Sequence, residues 1–174
     1  MRALLLLSLL AAGCSVVASS SPRPKTVSYV DLKRYMGRWY VIANVPYFLE
    51  KGKVASFDTY ALRPDGQIEN NFTFRKGSFD ATEKTWHGTA KVVNTETNAE
   101  WTVQFIWPLR TTYLVFDLDP EYQWAVVGTP DRKLLWILAR TRQLPDATHT
   151  AILQQLRQSG FDVSKLSPVP QPNA

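Results

Sequence analysis

From Arg38 to about Ala139 apolar and polar residues alternate with a period of two, and turn-forming residues interrupt the alternation at intervals. The interruptions fall at Pro64-Asp65-Gly66, Lys76-Gly77, Asn94 to Asn98, Pro108 to Thr111, Asp119-Pro120 and Pro130-Asp131. Between them the pattern predicts strands over residues 39–46, 54–63, 67–75, 86–94, 99–106, 112–118, 123–129 and 134–140. Eight short antiparallel strands with hairpin-length links suit an all-β, up-and-down barrel, because closure removes the exposed edges that an open sheet would leave. The longest link, about residues 46–53, carries Pro46-Tyr47-Phe48-Leu49 and joins the first two strands. A different period follows. Ile152, Leu153 and Leu156 make one apolar stripe, Asp146 is the predicted N-cap, and Gly160 with Phe161 ends a single α-helix. One helix cannot supply the core here. It is expected to pack outside the barrel, with the chain from Pro168 as a loose end.

Three short stretches stand out along this pattern. Gly37-Arg38-Trp39-Tyr40 opens the first strand after a helical turn at Asp31 to Met36, Leu118-Asp119-Pro120-Glu121-Tyr122 falls mid-chain, and Leu135-Trp136-Ile137-Leu138-Ala139-Arg140 precedes the helix. Gly37 permits a sharp turn and a close approach, and Trp39 carries a large apolar surface that needs an enclosed place. In this order the three resemble the conserved regions of the lipocalins, and Gly160-Phe161-Asp162-Val163-Ser164-Lys165 resembles the bacterial outer-membrane branch; apolipoprotein D is similar too. The resemblance covers roughly residues 28–168 and implies an eight-stranded barrel with an open mouth overhung by the first long loop. It also implies that Arg140 lies across Trp39 at the closed end, a structural role that Gly37 shares.

With Trp39 and the family's alternation setting the register, the expected inward residues are Val41 and Ala43; Ser56, Asp58, Tyr60 and Leu62; Ile68, Asn70, Phe72 and Phe74; Trp86, Gly88 and Ala90; Trp101, Val103, Phe105 and Trp107; Tyr113 and Val115. The ligand-binding candidates among them are Tyr60, Phe72, Phe74, Trp86, Phe105, Trp107 and Tyr113. Gly88, Ala90, Ala43 and Ser56 are expected to leave space, and Lys51, Lys53 or Arg110 to meet a headgroup at the mouth. Asp58 is the exception in an apolar lining and needs a donor, a water or a proton.

Composition adds the cellular context. The chain has 174 residues, enough for one domain with a proper core, and aromatics make up 12% of it. The formal charge of +5 is mild and scattered, which argues against a nucleic-acid groove and leaves a weak preference for anionic lipid headgroups. The single cysteine, Cys14, excludes an intrachain disulfide. Met1-Arg2, the apolar run Ala3 to Leu10 and Ala11-Ala12-Gly13-Cys14 form a secretory signal over residues 1–13, ending in a sequence similar to a bacterial lipobox. Ala11 stands where that pattern usually has Leu. The resemblance implies that Cys14 becomes an acylated lipid anchor, palmitate included, and Ser15 after it favours the outer membrane. Residues 14–28 then form a tether, residues 29–168 the domain and residues 169–174 a tail.

Catalytic chemistry is sparse. His87 and His149 are the only histidines, no metal-ligand cluster can be built from them, and no phosphate loop or nucleophile motif occurs. No cofactor is called for. The expectation is an outer-membrane lipoprotein that faces the periplasm and binds, stores or transports a fatty acid or lysophospholipid, aiding lipid maintenance without chemistry of its own. The alternatives are a lipid-modifying enzyme on the same scaffold or a porphyrin carrier. Oligomeric state stays open, a homodimer included.

Overall fold

The computed structural model describes residues 23–173. The expected signal and Cys14 lie outside the described residues. A one-turn helix α1 (Leu32–Tyr35) leads into eight strands: β1 (Gly37–Asn44), β2 (Lys53–Leu62), β3 (Ile68–Lys76), β4 (Lys84–Val92), β5 (Glu100–Ile106), β6 (Leu109–Leu118), β7 (Trp124–Gly128) and β8 (Leu135–Ala139). Helix α2 (Asp146–Gln158) and a two-residue strand β9 (Ser167–Pro168) follow. Every strand from β1 to β7 pairs antiparallel with the next, and β8 pairs back with β1, so the sheet closes into the expected barrel.

Apolar residues divide between two clusters, one inside the barrel and one between its outer wall and α2. Ile152 and Leu156 of α2 pack with Ala43, Val126, Leu135 and Ile137, which are the outward residues of β1, β7 and β8. The helix begins differently from the sequence expectation. Pro145, extended at ψ 139°, holds the N-cap position without a side-chain hydrogen bond, and Asp146 is the first helical residue, where its carboxylate still faces the positive end of the helix. The other end follows the expected geometry: Gly160 is at φ +79°, and the Phe161 N–H returns to the Leu156 carbonyl at 3.0 Å.

Bulges change which residues face inward. In β1 the pairing with β8 slips between Val41 and Ala43, so Val41 belongs to the inner cluster and Ala43 to the outer one. The expectation that Ala43 lines the interior is therefore corrected. A slip in β6 between Val115 and Asp117 accompanies Val115 inside and Phe116 outside, against Phe161 at 4.9 Å. The expected turn at Pro108 to Thr111 is also tighter, since β6 already begins at Leu109, paired with Ile106.

Both ends of the described segment are laid on the barrel. The Val27 N–H donates to the Val115 carbonyl at 3.0 Å and that of Val30 to Thr97 at 2.7 Å, so the last residues of the expected tether are pinned. The carboxyl-terminal segment is likewise not loose. β9 pairs with β1, the Pro170 carbonyl accepts from the Ala55 N–H at 2.8 Å, and the Gln171 amide donates to the carbonyls of Val41 and Ser56, each at 2.9 Å. It fills the gap where β2, bulged between Val54 and Phe57, departs from β1.

Candidate functional site

The closed end is built first, because it determines how deep the interior can be. Asp31 caps α1 by accepting from the N–H groups of Lys33 and Arg34, and the helix turns Tyr35 into the barrel, where it is wholly buried. Tyr35 packs on Trp39 at 4.9 Å and edge-on to Trp101 at 5.3 Å; Trp101 stacks on Tyr113 at 5.1 Å. The hydroxyls of Tyr35 and Tyr113 are 2.7 Å apart, with that of Tyr60 at 3.4 Å from the latter. This aromatic floor is sealed from below by Arg140. Its guanidinium carbon lies 3.8 Å from the Trp39 ring centroid and its nitrogens donate to the carbonyls of Arg34, Tyr35, Arg38 and Tyr122. Gly37, at φ +95°, passes so close that an added Cβ would stand 3.3 Å from the Arg140 Nη1.

Above the floor lies a cavity of about 250 Å³. Phe72, Trp86, Val103, Phe105, Val127 and Leu138 make its apolar wall, with Asp58, Asn70, Tyr60 and Tyr113 at depth. Tyr47, Leu49, Ile106, Leu109, Arg110 and Leu134 surround its mouth, while Phe48 stands outside it, 84% exposed. Of the ligand-binding candidates, Tyr60, Phe72, Trp86, Phe105 and Tyr113 border the cavity, as do Asp58, Asn70 and Val103 of the wider inward set. Phe74 does not. It stacks behind Phe72 at 5.4 Å and against Trp86 at 5.0 Å.

Trp107 is at the tip of the β5–β6 hairpin, 82% exposed, because the pairing slips after Val103 and the strand leaves the wall. Leu62 is half exposed at the end of β2, and the room at Gly88 is taken by the Phe105 ring, 2.7 Å from where a Cβ would be. Ile68, Ala90, Trp101 and Val115 are packed into the core rather than facing the cavity, and Ser56 is buried where the tail crosses β2. Of the expected headgroup residues, Arg110 borders the mouth and Lys51 is exposed on the adjoining loop. Lys53 instead folds under the wall, its Nζ 3.0 Å from the Trp86 ring centroid and 3.6 Å from that of Phe74. It has no hydrogen-bond partner among the described residues, and desolvation brings its pKa down to about 8.

Val127, Trp136 and Leu138 also line the cavity, and alternation along β7 and β8 contains the signal for them. Tyr47, Leu49 and Glu50 come from the long loop and have no periodic signal. Glu50 is held by Asn44 and by the Trp136 indole N–H at 2.9 Å; burial raises its pKa, and those hydrogen bonds oppose the rise. Asp58 has its carboxyl raised well above the ordinary value by desolvation first and by Glu50 second.

A family model described as a lipocalin-like domain matches residues 30–171. The chain belongs to the lipocalin family. It is 38% identical over 181 aligned positions to the outer membrane lipoprotein Blc of Escherichia coli K12, covering both chains completely. It is also 31% identical to mouse apolipoprotein D, over 87% of this lipocalin and 82% of the relative. Among solved structures, insecticyanin from the tobacco hornworm Manduca sexta superposes with a TM-score of 0.70, covering 87% of this lipocalin and 86% of that chain, at 18% identity. That likeness concerns the fold alone.

Proposed function

We propose that this lipocalin is an outer-membrane lipoprotein, acylated at Cys14 and facing the periplasm, whose barrel binds and carries a fatty acid or lysophospholipid. The observation that carries the reading is the apolar cavity, plugged beneath by Trp39 and Tyr35 and open between Leu49 and Arg110. Full-length identity to a protein named as an outer membrane lipoprotein supports the location. The hydrocarbon enters tail first. Each methylene it buries contributes about 0.8 kcal/mol, so some ten of them supply about 8 kcal/mol, which outweighs the several kcal/mol lost on immobilisation and leaves net binding. The headgroup stays at the mouth, where Arg110 and Lys51 suit an anionic carboxylate or phosphate. The barrel transports or stores without turnover, and among the described residues of the wall no nucleophile is paired with a base.

Titration with palmitate and with a lysophospholipid, followed through the fluorescence of Trp86 and Trp136, tests this. One saturable site is expected. Val103→Trp, which fills the cavity from a wall position, should abolish it while leaving the protein folded; binding unaffected by that substitution would remove the cavity from the account.

A further inference from the structure

The cavity is apolar along its wall but not at its base. Asp58 and Asn70 both turn inward there: Asp58 pairs in register with Trp39 of β1 and Phe72 of β3, and Asn70 with Tyr60 of β2 and Gly88 of β4. They are diagonal neighbours on one face of the β2–β3 ladder, just above the aromatic floor. Asn70 is 3% exposed, and its amide oxygen has no hydrogen-bond donor among the described residues. The Asp58 carboxyl, half-buried beside the cavity, accepts no hydrogen bond from the described residues either, while the Tyr35, Tyr60 and Tyr113 hydroxyls lie within hydrogen-bond distance of one another. Buried polar groups in a folded protein are nearly always paired, so the unpaired Asn70 oxygen, beside a carboxyl that borders the same cavity, describes a site awaiting a polar partner.

We propose that the base of the cavity is a polar subsite for an oxygenated hydrocarbon, a chain with a hydroxyl at or near the end that enters first. The inference rests on the reading that the barrel takes a lipid tail. A plain saturated tail reaching this depth would cover Asp58 and Asn70 without replacing their hydrogen bonds, whereas a hydroxyl donates to the Asn70 oxygen and exchanges a hydrogen bond with the Asp58 carboxyl. The protonated form of that carboxyl, favoured by its burial, can both donate and accept. Sites that hydrogen-bond a hydroxyl discriminate strongly against the analogue lacking it, because the site's own groups are then left unpaired.

The test uses the full chain carrying Cys14→Ser, which removes acylation and leaves every described residue in place. Two matched pairs are titrated: dodecanoate against 12-hydroxydodecanoate, and hexadecanoate against 16-hydroxyhexadecanoate. The hydroxylated member of at least one pair is expected to bind about tenfold tighter. Asp58→Leu should erase or invert that ratio, and Asn70→Leu should reduce it; Asp58→Asn, which still donates and accepts, should retain most of it. Should either leucine variant fail to fold, the other carries the comparison, and the wild-type ratio is measured regardless. Equal affinity within both pairs, or a preference unchanged in the folded leucine variants, would overturn the subsite while leaving lipid binding standing. Failure of all four acids to bind would overturn both.

Discussion

Arg140 concentrates more interactions than any other side chain at the closed end. It covers the Trp39 face and supplies donors to four backbone carbonyls contributed by α1, β1 and the turn before β7. Arg140→Ala removes the cation–π contact and leaves those carbonyls without their charged donor, so a loss of about 3 kcal/mol is expected in urea unfolding, with lipid affinity changed less than about twofold. Asp58 makes a second prediction at this scale. Its folded pKa lies above the unfolded value, so the folded chain retains a proton that the unfolded chain has released. The associated stability is greatest below the ordinary carboxylate pKa and falls as pH rises from there toward the folded value. Glu50 contributes in the same direction, whereas Asp131, its pKa lowered first by the Thr129 hydroxyl, contributes oppositely at lower pH. Asp58→Asn should therefore flatten the decline in melting temperature between about pH 4 and neutrality, by comparison with the wild-type chain over the same range.

At the scale of elements, strand number, strand order and the outer helix were legible in alternation and turn residues, while facing was legible only where strands are regular. The bulge between Val41 and Ala43 reverses the inside–outside assignment within three residues. Neither residue advertises it, and Ala55 adopts φ +52° in the irregular part of β2 without the glycine or asparagine that would mark such a place. Lys53 differs from expectation for a related reason: a lysine near a mouth reads as solvated, yet its ammonium lies against aromatic rings. β9 was illegible because two residues with a proline carry no periodic signal. Deleting residues 167–174 removes its pairing with β1 and the Gln171 bridge between β1 and β2. The expected result is a destabilisation of about 2 kcal/mol in urea, with faster amide exchange at Ala55, whose N–H loses the Pro170 carbonyl.

For the whole molecule, the division into two apolar clusters explains how a barrel can be stable and still partly empty. The lower interior and the α2 interface are close-packed, which leaves the upper interior free to remain a cavity. The closed floor and the single mouth follow from α1 and Arg140 at one end and the long β1–β2 loop at the other. Carriage of a lipid is the property this arrangement supports. Native mass spectrometry of the purified protein tests it most directly. The account predicts a lipid-sized adduct at one per chain, displaced by added palmitate and absent from Val103→Trp; a chain that carries no lipid and takes up none when palmitate is supplied would contradict it.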